Sequence, residues 1–195
     1  MSKQLKEIDS ELASWIRLQH LFFVATAPLS ALHHVNASPK GGDTFRILGP
    51  MEMIYQDYTG SGAETIAHLR ENARITLMFC AFEGPPKIVR LYGTGSVILP
   101  GDALYDKSAA LFPPNPGTRC FIHIVVQRVS SSCGYSVPYL DYRGPRDALD
   151  KWAEKQGPDK LEEYRASKNS KSIDGLPALA DSSGDRQSLL NFVKS

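Results

Sequence analysis

The chain has 195 residues, 42% hydrophobic and 22% charged, with a formal net charge of +1. That suits one globular domain with a substantial core, and it excludes a global field that would draw nucleic acid or an anionic membrane. No stretch reaches the roughly 20 apolar residues of a membrane-spanning helix, and the charged opening MSKQLKEIDSELASWIRLQ predicts neither a signal peptide nor an anchor.

Leu5, Ile8, Leu12, Trp15 and Ile16 trace one helical face, which predicts a helix over 3–19. LFFVATAP (21–28) is a continuous apolar run ended by Pro28 and predicts a buried strand. Residues 33–38 and 44–48 read as strands about a PKGGD turn, and MEMIYQD (51–57) as another. After GSGA, Ile66 and Leu69 share a face of a short helix of about two turns. ITLMFCAF (75–82) and KIVRLYGTGSVIL (87–99) read as strands joined by EGPP; a short helix covers 101–111, and a long strand runs over 119–134. Leu149, Trp152, Leu161 and Tyr164 recur among many charges and predict two amphipathic helices broken at Gly157-Pro158. Six or seven short strands joined by tight turns are antiparallel, and such a sheet protects its edges by closing. The fold class is therefore mainly β (α+β), a small β-barrel with peripheral helices.

Three stretches carry candidate chemistry. Alternation places Asn36, Ser38 and Lys40 on one strand face, with Val35 and Ala37 on the other, which can rest on the core. An amide, a hydroxyl and an ammonium offer donors to oxygen-rich or anionic groups; the same face also reads as solvated strand before a polar turn. In DYTGSGAET (57–65), Gly60 and Gly62 permit a tight turn directly before a helix start. A helix start favours phosphate, and Ser61 and Thr65 add hydroxyls. Glu64 would repel an anion unless it points away, and a plain helix start remains an equal reading. Arg90 is a lone cation in an apolar strand and needs a carboxylate, an anion or solvent.

Other chemistries lack a signal. The five histidines show no HxH, HxxxH or HExxH spacing, and there is no GxSxG elbow. Cys80, Cys120 and Cys133 form no CxxC pair; they fit buried thiols in a reducing, cytoplasmic setting.

Taken in order, FFVATAP, HVNASPKGGDTFRILGP, IYQDYTGSGAETIAHLRENARITLMFCAFEGPPKIVRLYGTG, SCGYSVP and SKSIDGLPAL resemble the pyridoxamine 5'-phosphate oxidase-like FMN-binding split-barrel proteins, in an uncharacterised branch. The resemblance implies a six-stranded antiparallel split barrel that forms a homodimer with FMN at the subunit interface. It implies that Asn36, Ala37 and Ser38 lie along the flavin and that Lys40 lies near the ring edge or the phosphate. Gln56 and Asp57 would face ribityl or ring atoms; Ser61, Gly62, Glu64 and Thr65 would lie near the phosphate. Arg90 would be a further contact, and Tyr135 would reach a neighbouring pocket. Residues 1–140 would form the barrel with its N-terminal helix, and 141–195 helices and a polar tail packed on the same domain.

The sequence departs from the family pattern at ALHHVN and at Ala63, where an Asn is expected. The ending DRQSLLNFVKS lacks the Arg- and Trp-rich segment of true pyridoxamine phosphate oxidases, which argues against vitamin B6 oxidation. The activity implied is FMN-dependent oxidoreduction of a small organic substrate, with no catalytic acid or base nominated. The alternatives are a barrel that binds FMN or another ligand without turnover, one that holds haem or a deazaflavin, and a cofactor-free structural dimer.

Overall fold

The structure is a computed structural model and describes residues 3–179. DRQSLLNFVKS, on which the expectation about vitamin B6 rests, lies outside the described residues. The elements are β1 (Lys3–Leu5), α1 (Ser10–Arg17), β2 (Leu21–Thr26), β3 (Asn36–Gly41), β4 (Phe45–Gly49), β5 (Glu52–Tyr58), α2 (Glu64–Asn72), β6 (Arg74–Cys80), β7 (Ile88–Ile98), α3 (Tyr105–Ala109), β8 (Thr118–Ser132) and α4 (Ala148–Lys168).

The strands form one curled antiparallel sheet in the order β3-β2-β6-β7-β8-β5-β4, with β1 paired to β8. This is the expected split barrel, with seven strands on the main path and a short eighth. β8 is the spine. It pairs with β7 along its length, with β5 over its first half and with β1 at its end. The register shifts between Tyr92 and Gly93, where β8 comes closest. A Cβ on Gly93 would lie 2.1 Å from the Val125 carbonyl oxygen.

The predicted helix over 3–19 divides in two. The Asp9 side chain accepts from the Leu12 N–H at 2.8 Å and starts α1, while Leu5 pairs with Val129 in the sheet. The apolar spacing runs on through Leu5 and Ile8, but a helix cannot cross its own N-cap. α4 carries the expected break, with Gly157 at φ 72° and ψ 170° ahead of Pro158.

The core lies inside the curl. Phe22, Phe45, Tyr55 and Phe79 pack ring to ring, with Val24, Leu77, Leu91, Ile122 and Ile124 fully buried around them. α2 covers one end through Ile66, Ala67 and Leu69. On the opposite face of β5 and β8, Ile54, Ile98, Phe112 and Phe121 form a smaller cluster beside α3. Among the described residues no helix is long and apolar enough to cross a membrane.

One expectation about β3 is reversed. Asn36, Ser38 and Lys40 pair with Thr26, Val24 and Phe22, which are buried, so the polar face is the inner one. Val35 is 74% exposed and Ala37 is exposed. β3 is the last strand on its side of the sheet, and its inner face passes beyond the apolar core to the polar end described next.

Candidate functional site

The polar end is built around Asp57. It stands in phase with Met53 and Tyr55 on β5, both fully buried, and is itself fully buried. A carboxylate on a core-facing phase requires charged partners. Lys40 Nζ from β3 lies 2.5 Å from Asp57 Oδ1, and Arg119 Nε from β8 lies 2.7 Å from Oδ2. Burial alone would push the Asp57 carboxyl up; Lys40 and then Arg119 outweigh it and hold it below the usual carboxylate range. Burial pulls Arg119 down, and Asp57 more than restores it. Cys120 Sγ sits 3.8 Å from Asp57 Oδ2, and burial, then Asp57, push its thiol far up, so it stays protonated.

Arg119 also donates through Nη1 to the Gly62 carbonyl at 2.7 Å. Thr59 N–H and Oγ1 both donate to the Gly117 carbonyl, and Asn169 Nδ2 donates to the Gly60 carbonyl at 2.8 Å. The Gly60–Gly62 turn is thus pinned from three directions. α2 starts directly after it with no side-chain cap at Ala63, and the first N–H groups of a helix have no intrahelical partner.

Asn36 Nδ2 donates to Thr65 Oγ1 at 3.0 Å, and Ser38 Oγ donates to Asn36 Oδ1 at 3.1 Å. Behind them Thr26 Oγ1 meets His68 Nδ1 at 2.9 Å, with the imidazole fully buried. Burial holds His68 below its ordinary value despite the nearby Glu64 and Glu71. Unfolding frees His68 to take up a proton that the folded protein resists, so stability is lost as pH falls through the ordinary imidazole range. Urea denaturation at about pH 8 and about pH 5.5 is expected to show that loss, and His68→Gln is expected to remove this component.

A cavity of about 290 Å³ opens between β3 and the turn, lined by Ser38, Lys40, Tyr58, Gly60, Ser61, Gly62, Glu64, Thr65 and Arg119. Six predicted residues therefore meet on its wall: Ser38, Lys40, Ser61, Gly62, Glu64 and Thr65. Asn36 and Asp57 stand behind it and position Thr65, Lys40 and Arg119. Four predicted residues lie elsewhere. Ala37 faces outward. Gln56 points away from Asp57, as neighbours on a strand must, and its amide donates to Thr118 Oγ1 at 2.7 Å. Arg90 lies in register with Met78, then Phe23, then Pro39, on the outer sheet face, where it donates to Ser132 Oγ at 3.3 Å. Tyr135 is 83% exposed beyond the end of β8.

Tyr58 and Gly60 fall within the predicted 57–65 stretch, and Arg119 was not predicted. The available signal for Arg119 was Asp57, whose phase within β5 called for cations from the neighbouring strands. In the cavity two cations face one bonded carboxylate. Glu64 supplies a second acid, and its Oε1 accepts the Ile173 N–H at 3.2 Å. The wall thus offers ammonium, guanidinium, hydroxyl and open backbone donors. That donor set fits a phosphate with the hydroxylated chain attached to it. Asp57 is held ionised between two cations and Cys120 is held protonated, which leaves Glu64 as the carboxylate on the wall.

The chain is a curled antiparallel split barrel with a polar cavity at the open end of its edge strand. Residues 8–133 match the family model described as pyridoxamine 5'-phosphate oxidase, and the chain belongs to that family. The chain is 39% identical over 200 residues to the pyridoxamine 5'-phosphate oxidase family protein ustO of Aspergillus flavus, covering 93% of this chain and 79% of that one. Among solved structures, a Lactobacillus delbrueckii protein described as a candidate pyridoxamine 5'-phosphate oxidase matches with a TM-score of 0.51 at 19% identity, over 65% of this chain and 98% of that one. HupZ of Group A Streptococcus matches with a TM-score of 0.50 at 23% identity, over 64% and 99%. These two likenesses concern the fold.

Proposed function

We propose that the protein is an FMN-dependent oxidoreductase acting on a small organic substrate. The observation that carries this reading is the donor-lined cavity between β3 and the Gly60–Gly62 turn, in a chain of this family. Ser61, Thr65 and the start of α2 would hold the phosphate. Ser38, Lys40 and Arg119 would hold phosphate or ribityl oxygens, with Asp57 keeping both cations in place. FMN when bound supplies the electron transfer. The chain's own residues bind it and fix its orientation, and the tight Asp57 clamp keeps Lys40 from swinging away. The outer face of β3, β2, β6 and β7 presents Val35, Ala37, Phe23, Met78 and Tyr92, a surface a second copy would cover. In this reading Arg90 lies in that interface.

Residues 141–179 are read as part of the same domain, since Arg165 and Asn169 bond directly to the site loop. The cytoplasm is the proposed location. Lys40→Ala is expected to weaken FMN about 10- to 100-fold, the range for losing a charge-assisted contact, and fluorescence titration measures it. Unchanged affinity would remove Lys40 from the binding site.

A second reading is binding of FMN without turnover, since Asp57 and Cys120, the buried titratable groups behind the cavity, are each locked in one protonation state. Anaerobic addition of NADH or NADPH to the FMN-loaded protein separates the two. Bleaching of the flavin band followed by reoxidation supports the oxidoreductase; a bound flavin that no donor reduces supports the carrier.

A further inference from the structure

A second, larger cavity of about 730 Å³ lies between α4 and the adjoining ends of β7 and β8. Its wall is largely apolar, with Leu99, Pro100, Pro158, Leu161 and Leu179, and Arg119 and Arg165 also line it. Arg119 is shared with the first cavity.

Arg165 is the unusual member. It is half-buried, and its partners are all neutral: Nε donates to Thr59 Oγ1 at 2.8 Å, and Nη2 donates to the Thr118 carbonyl at 2.9 Å and the Pro116 carbonyl at 3.3 Å. Among the described residues no carboxylate forms an ion pair with it. Arg119 spends its ion pair on Asp57, which already serves Lys40. Arg165 is thus left outside the Asp57 clamp, and the acids lining this cavity, Glu154 and Glu162, form no ion pair with it among the described residues. Burial pulls Arg165 below its ordinary value, with Arg119 adding to that pull and Tyr105, Cys120 and Glu162 opposing it. A half-buried guanidinium bonded only to neutral acceptors gains most from an incoming anion. At the rim, Glu154 and Glu162 are exposed. They leave the outer end of the cavity hostile to a second acidic group.

We propose that this cavity is a binding site for an amphipathic monocarboxylic acid, whose carboxylate meets Arg165 beside Arg119 and whose apolar body lies along Leu99, Leu161 and Leu179. Charge complementarity selects the occupant, with cations at the base, apolar walls and acids at the rim.

The test is isothermal titration of the full-length protein with octanoate, 1-octanol and octanedioate. Octanoate is expected to bind saturably, one per chain, at least about tenfold more tightly than either of the others, as one charge-assisted contact implies. In Arg165→Gln, octanoate is expected to fall to the level of 1-octanol, with the melting midpoint of the unliganded variant reporting that it folds. If that variant does not fold, the comparison of the three ligands on the natural protein still decides. Equal binding of octanoate and octanol overturns the proposal, as does a preference for octanoate that survives in a folded Arg165→Gln. Absence of saturable binding also overturns it, the result expected if another part of the chain or a second copy fills the groove.

Discussion

Asp57→Asn is expected to destabilise the protein by about 3–5 kcal/mol, the cost of breaking a buried ion pair by removing one partner. The carboxylate is fully buried and bonded to Lys40 and Arg119. A neutral amide leaves both cations facing each other with little solvent to screen them. Against a typical total of about 5–15 kcal/mol, that loss leaves a marginal fold. Urea denaturation at neutral pH measures it. The acid limb adds a second signature. Because the folded protein holds the Asp57 carboxyl below its ordinary value, its contribution is complete above the unfolded carboxylate range and is lost as pH falls through the folded value. The variant is expected to lack that acid-dependent component. A change of less than about 1 kcal/mol, the ordinary range for surface ion pairs, would mean that Asp57 is not the clamp.

Gly93→Ala is expected to cost about 3 kcal/mol, the upper part of the usual range for forcing atoms into a packed site. The new Cβ would fall 2.1 Å from the Val125 carbonyl oxygen and 3.0 Å from Val126 Cα. Those are backbone atoms of the spine strand, so no side-chain rotation relieves the clash. β7 and β8 must separate at the register shift that bends them, and the curl carrying β3 and β5 toward each other depends on that bend. A melting scan reads the loss. Gly60→Ala is the contrast. Nothing lies within 4 Å of a Cβ there, so its effect on stability is expected to be small.

The fold class was legible because turn residues and alternation repeat along the chain at short intervals, which admits an antiparallel sheet and little else. The site was half legible. Alternation grouped Asn36, Ser38 and Lys40 correctly, because a strand period of two depends on no partner. It could not say which face was the inner one. The usual rule assigned Val35 and Ala37 to the core, and the rule fails at an edge strand that overruns the core into a polar end. The same period already argued against Gln56 and Asp57 sharing one cavity. Arg90 stood out as a lone cation in an apolar strand that could face an anion or the outside, and the register through Met78 and Phe23 puts it outside the sheet. Arg119 was missed because it opens an apolar strand far along the chain from Asp57; their pairing depends on β5–β8 register, which no local pattern encodes.

The central claim is that the cavity between β3 and the Gly60–Gly62 turn takes the phosphate end of FMN. The most direct measurement is titration of the purified protein with FMN and with riboflavin, followed by flavin fluorescence and by the melting midpoint. FMN is expected to bind saturably and at least about tenfold tighter than riboflavin, the value of charge-assisted contacts to the phosphate, and to raise the melting midpoint as a native-state ligand requires. Equal affinity for the two, or no binding of either, would contradict it.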